Sequence, residues 1–143
     1  MLAICGGAMG RAVGKIVEGK INMCVMVLVK ATEDSERGGP VDEAMMAAMG
    51  RFNNELEAAG VLVMADGLLP SSHGRRVAFD GVNRTVSAGP FVPAGDLVAG
   101  FWLWEVADMD EAVVWVKRCP NPMPGPSVIE IRPFNDRGGD PDA

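Results

Sequence analysis

At 143 residues, with 48% hydrophobic and 22% charged side chains, the chain has ordinary globular composition and the length of one domain. Its net charge of -6 argues against a phosphate-tracking nucleic-acid binder, because such affinity comes from clustered Lys and Arg releasing counterions, and Arg75-Arg76 is the only adjacent arginine pair. No stretch approaches the roughly 20 uninterrupted apolar residues of a membrane span, so no membrane is expected as a partner and the expected location is cytoplasmic.

The first 22 residues differ from the rest of the chain. Met1 to Ala8 is apolar without a basic leader, and Arg11, Lys15, Glu18 and Lys20 interrupt the stretch, which makes a poor signal peptide. Gly7, Gly10 and Gly14 do not match the Gly-x-Gly-x-x-Gly spacing and have too few residues ahead of them for the strand such a loop must follow. Residues 1–22 are therefore read as an extension, non-native or from an upstream start, ahead of a domain spanning 23–134.

From Met23 the periodicities become legible. Met23 to Lys30 is a nearly continuous apolar run, which suits a central strand covered on both faces. Gly38-Gly39-Pro40 breaks the chain, and Asp42 and Glu43 place negative charge at a helix start. Met45, Met49, Phe52, Leu56 and Ala59 form one apolar stripe, and Gly60 ends the helix. Val61 to Met64 reads as a strand. Asp66-Gly67 then reads as a turn pair, and Pro70 to Gly74 as a polar loop.

Arg75–Asp80 and Arg84–Ala88 alternate around Asp80-Gly81-Val82-Asn83, the signature of a hairpin. Leu97 to Val106 is a strand with Trp102, Trp104 and Val106 on one face and Phe101, Leu103 and Glu105 on the other. Asp108-x-x-Glu111 opens a second helix with Ala112, Trp115, Val116 and Cys119 inward and Lys117-Arg118 at its negative pole. Prolines at 120, 122, 124 and 126 forbid continuation, and Val128 to Arg132 is the last strand. Residues 135–143 form an acidic, Gly-rich tail expected to be mobile.

The order strand, helix, strand, hairpin, strand, helix, strand is an α+β, ferredoxin-like βαββαβ pattern with an inserted β-hairpin. Both helices then cover one face of the sheet. The other carries Cys24, Met26, Leu28, Lys30, Phe101, Leu103, Glu105, Glu130 and Arg132 if strand alternation holds. That face is too apolar for water, so a homodimer with a cleft between the two sheets is expected. Cys5, Cys24 and Cys119 lie far apart with no Cys-x-x-Cys or neighbouring histidine, so reduced thiols are expected, with no metal site and no cofactor motif.

Several ordered segments carry a family resemblance. They include Met26-Val-Leu-Val-Lys30, Phe52-x-x-Glu-Leu-x-x-Ala-Gly-Val61, Gly67-Leu-x-Pro-Ser71, Gly89-Pro-Phe91, Gly100-Phe-Trp-Leu-Trp104, Trp115-Val-Lys-Arg-Cys-Pro-Asn-Pro122 and Ile129-Glu-Ile-Arg-Pro133. Together, over Met23 to about Phe134, they resemble the YCII-related proteins, in the branch named for an Asp-Gly-Pro-Phe motif. The resemblance implies a dimeric α+β barrel of ferredoxin-like subunits with an unassigned activity. It also implies small enzymes using a His and Asp pair, and an association with extracytoplasmic-function sigma factors. Ala88 stands at the motif's acidic position, so a mechanism needing that carboxylate is in doubt here.

His73, the single histidine, is the candidate general base, with Asp66 or Asp80 as its acidic partner; the competing reading is an exposed loop residue beside a turn pair. Arg75, Arg76 and Arg84 suit a carboxylate or phosphate, or else solvent. Gly89, Pro90 and Phe91 suit a turn. Glu105, Glu130 and Arg132 suit either a buried ion network or the polar floor of a site. One functional reading is a dimer that binds or transforms a small molecule in a cleft lined by Phe91, Phe101, Glu105 and Arg132, with Arg84 and the Gly89-Pro90 turn beside it and His73 within reach. The other is a non-catalytic partner in sigma-factor control.

Overall fold

A computed structural model of the chain describes the backbone of residues 16–17 and 20–135 and the side chains of residues 22–135. The readings of the first residues and of the tail beyond Asn135 lie outside these. In chain order the elements are β1 (Ile16–Val17), β2 (Lys20–Ile21), β3 (Met23–Lys30), α1 (Glu33–Arg37), α2 (Glu43–Ala58), β4 (Leu62–Gly67), β5 (Arg75–Asp80), β6 (Asn83–Ala88), β7 (Val98–Val106), α3 (Met109–Arg118) and β8 (Ile129–Pro133). Among the described residues β1 and β2 pair with each other alone.

Four strands form one antiparallel sheet in the order β4-β7-β3-β8. This is the order expected of a split βαβ fold, with the first and third strands of the repeat at the centre. The sheet does not close on itself, β4 and β8 being its edges. Val25, Val27, Val29, Trp102, Trp104 and Val106 face the helices and pack on Phe52, Leu56, Val61 and Ala112. Phe52 sits edge-on to three tryptophans, with ring centroids 6.0, 6.3 and 6.2 Å from Trp102, Trp104 and Trp115. Such edge-to-face contacts satisfy the ring quadrupoles and fix the angle of α2 over the sheet.

Helix boundaries follow local hydrogen bonding. At α3 the Asp108 carboxylate accepts from the Glu111 N–H at 2.8 Å, and the Glu111 carboxylate accepts from the Ala107 N–H at 2.7 Å, so the two residues satisfy each other's end of the chain. At α2 Asp42 accepts from the Ala44 N–H at 2.9 Å. α1 is an addition to the sequence reading, nucleated by a reciprocal Thr32 and Ser35 capping box and ended by Gly38 at φ 69°. β4 runs on through Asp66 and Gly67, a pair whose composition reads as a turn; Gly67 pairs with Gly100 there, and a Cβ on Gly100 would lie 3.1 Å from the Asp66 carbonyl oxygen, so its absence lets the strands approach.

The inserted β5–β6 hairpin is a separate two-stranded unit, and every residue from 75 to 88 is exposed. Cys24 is disulfide-bonded, against the expectation of reduced thiols, whereas Cys119 is free. The Gly89–Pro90 and Val92–Pro93 peptide bonds are cis. Among the described residues no helix is long and apolar enough to cross a membrane.

Candidate functional site

On the helix side, the end of the sheet where β4 stops and β7 begins is roofed by α1, the 38–42 turn and the first half of α2. Beneath them lies a half-enclosed cavity of about 790 Å³. Val29, Ala65, Ala99 and Trp102 supply its sheet wall, Met45 and Met49 its α2 wall, and Leu68 and Leu69 its rim. Pro122, Met123 and Pro124, from the segment after α3, close the far side. Asn53 accepts a 2.8 Å hydrogen bond from the Trp102 indole N–H, which fixes the indole plane.

The polar lining is mostly acidic. Asp34, Glu36 and Asp42 contribute carboxylates, and among the described residues the cation in the wall is Arg37, paired to Asp34 within α1. Glu36 also holds the cavity mouth. Its carboxylate accepts from the Ser71 N–H at 3.0 Å and from the Ser71 hydroxyl, while the Ser71 Oγ accepts from the Phe91 N–H at 2.9 Å. Because the acceptor is ionised these bonds are stronger than neutral ones, and they join α1, the 3-10 turn Ser71–His73 and the 89–93 loop into one latch. Gly89 sits so close to that turn that a Cβ there would lie 1.8 Å from the Ser71 carbonyl oxygen. The sequence carried no signal for this latch; on the apolar stripe of α2, Met49 packs against the core and also lines the cavity, as Met45 does.

The residues proposed from sequence divide into two groups. Asp66, Phe101, Glu105 and Arg132 lie on the sheet face turned away from the helices. Register puts Asp66 opposite Phe101, Phe101 opposite Leu28 and Leu28 opposite Glu130, a straight row across all four strands. Asp66 and Phe101 also contribute to the cavity wall, and the Asp66 Oδ1 accepts from the Gly67 N–H at 2.9 Å. Glu105 is buried opposite Cys24, and Arg132 is exposed and pairs with Glu130 at 3.2 Å.

The second group clusters at the hairpin. His73 ends the 3-10 turn in an exposed position, and among the described residues no hydrogen bond or ion pair joins it to Asp66 or Asp80. Arg84 donates to the Gly81 and Asn83 carbonyls at 2.8 Å and stacks 4.4 Å over Phe79. Phe91 is half-buried beneath the Arg76 guanidinium at 4.0 Å, next to an exposed Pro90.

A family model for the YCII-related domain matches residues 23–135, the span from the first strand of the sheet to just past the last. The chain belongs to the YCII-related domain family. No curated protein matches it. The YCII match coincides with the ferredoxin-like sheet, its helices and the inserted hairpin, so the cavity and the latch both fall inside the family's domain.

Proposed function

We propose that this YCII-related protein binds a small molecule with an apolar body and a cationic head in the cavity between α1, α2 and the end of the sheet. The observation that carries this reading is the cavity itself. Its volume of about 790 Å³ falls within the range of small-molecule sites, and its wall is apolar with a few convergent polar groups. The charge follows from the lining: three carboxylates, one of them paired to the arginine, favour a cation, and disfavour a carboxylate or phosphate ligand of the same size. The Met45 and Met49 side chains suit an adaptable apolar contact, because a thioether on an unbranched chain repacks at low cost. The site lies within one chain, so this reading does not require the cleft between two sheets that the sequence suggested.

The test compares 1-octylamine, 1-octanol and octanoate by thermal shift and by Trp102 fluorescence. Octylamine is expected to raise the melting temperature most, since a ligand at about 100 times its Kd adds about 2.7 kcal/mol to folding. Met49→Trp, which fills the cavity, is expected to abolish the shift. If none of the three compounds stabilises the protein, or if Met49→Trp leaves the response intact, the assignment fails.

A further inference from the structure

The polar side chains of the cavity wall divide by what already engages them. Ser35 donates its hydroxyl to the Thr32 carbonyl and accepts from the Thr32 N–H within their capping box. Asp34 pairs with Arg37, and Glu36 takes the Ser71 N–H on one carboxylate oxygen and the Ser71 hydroxyl on the other. Asp42 accepts from the Ala44 N–H with Oδ1 and, among the described residues, has no ion pair. Asn53 accepts the Trp102 indole N–H with Oδ1, and among the described residues its Nδ2 meets no acceptor.

An indole nitrogen only donates, so Trp102 decides which end of the Asn53 amide faces it. The Nδ2 group, with its two N–H donors, is thereby turned away from the indole on a half-buried side chain that lines the cavity. A donor in such a position calls for an acceptor. Spacing along α2 sets how far it lies from the carboxylate that has no ion pair. Asp42, Met45, Met49 and Asn53 follow at intervals of three, four and four residues, which places them in one stripe on the helix, and all four line the cavity. The stripe runs from a carboxylate over two thioethers to an amide, about three turns or about 16 Å at the rise of an α-helix.

We infer that the ligand of this cavity is an elongated amphiphile with a carbonyl oxygen about 16 Å from its cationic head, the carbonyl accepting from Asn53 Nδ2 while the head faces Asp42. The inference rests on the cavity reading above and adds to it a second polar group, its chemistry and its distance. A carbonyl oxygen accepts and does not donate, so it matches a group that can only donate. A plain hydrocarbon laid along Met45 and Met49 would instead cover the two N–H donors and leave them without a partner, which is how a hydrogen-bonding site rejects an analogue that lacks the matching group. Asn53 is thus a specificity-determining residue.

Dodecylamine and methyl 12-aminododecanoate, each kept below its micelle concentration, share a cation and a chain, and only the ester carries the carbonyl. Titrated against the full chain by isothermal calorimetry, the ester is expected to bind about tenfold more tightly, the worth of one hydrogen bond to an otherwise unpartnered donor. Asn53→Asp keeps an oxygen for the Trp102 indole and removes both N–H donors. The ester is expected to lose its advantage in this variant while dodecylamine binds at least as well as before, and an unshifted tryptophan emission shows that the indole bond is retained. The spacing is read on the wild type alone: methyl 6-aminohexanoate is expected to show no advantage over hexylamine, because its carbonyl stops half-way along the stripe. An ester no tighter than dodecylamine on the wild type, an advantage that survives Asn53→Asp, or an equal advantage in the six-carbon pair overturns the inference and leaves the cation site standing. If neither twelve-carbon amine binds, the cavity reading fails and this inference falls with it.

Discussion

Replacing Gly89 by alanine is the sharpest perturbation of the cavity mouth. The added Cβ would lie 1.8 Å from the Ser71 carbonyl oxygen, 2.7 Å from its carbon and 3.3 Å from the Ser72 Cα, all backbone atoms that cannot swing aside. Ordinary contact demands a main-chain displacement of about 1.5 Å, and overpacking of this kind costs about 1–3 kcal/mol. A shift that large also breaks the bond from the Phe91 N–H to Ser71 and loosens the Ser71 contacts with Glu36, each worth about 1–2 kcal/mol. The strain and the broken bond together cost about 2–5 kcal/mol. With a urea m-value of about 2 kcal/mol/M, the unfolding midpoint falls by about 1–2.5 M. Hydrogen exchange should speed up first at the amides of Ser71 and Phe91. A midpoint within about 0.25 M of wild type would show that the 89–91 loop yields freely, and the latch would lose its structural meaning.

Leu56→Ala, at a fully buried position, is expected to cost about 3 kcal/mol and lower the melting temperature by on the order of 10 °C, because the surrounding sheet and tryptophans cannot collapse into the space. Asn53→Ala removes the acceptor of the Trp102 indole N–H; a loss of about 1–2 kcal/mol and a shifted tryptophan emission are the expected readouts. Burial pushes the Cys119 thiol up from 9.0 to about 11, so it should alkylate slowly at pH 8 in the folded protein and quickly in urea. The unfolded thiol loses its proton first as pH rises, so this contribution to stability is complete below pH 9 and is lost between pH 9 and about 11. The Cys119→Ala variant should lack that loss of stability between pH 9 and about 11.

The sheet was legible because its signals are periodic. Alternation along Leu97 to Val106 placed Trp102, Trp104 and Val106 under the helices, and all three are buried there. The Asp108 and Glu111 pair opened α3 as its spacing suggests. α1 was not legible: it is five residues long, too short for an apolar stripe, and its capping box closes with Ser35 where Glu or Gln is the usual signal. Asp66-Gly67 looked like a turn because its composition is that of a turn. Only the partner strand reveals otherwise, since Gly100 leaves room for a glycine opposite. The cavity was invisible for a different reason. Its wall draws on α1, the 38–42 turn, α2, the end of β4, the start of β7 and the 122–124 segment, and no local spacing reports a meeting of segments so distant in sequence.

The Ala88 substitution in the Asp-Gly-Pro-Phe pattern acquires a physical meaning from this geometry. The contacts that hold Gly89 and Phe91 are the close approach to the Ser71 carbonyl, the bond from the Phe91 N–H to the Ser71 hydroxyl and the stacking of Arg76, and none involves the side chain at 88. That side chain belongs to the outer face of the hairpin, opposite Arg75. A carboxylate at 88 would face Arg75 across the hairpin, whereas alanine leaves that guanidinium to donate to the Gly74 carbonyl at 2.9 Å. The motif thus divides at its first residue: Gly89 and Phe91 belong to the latch, and position 88 belongs to the exposed hairpin. The side chain at 88 can therefore change without disturbing the latch.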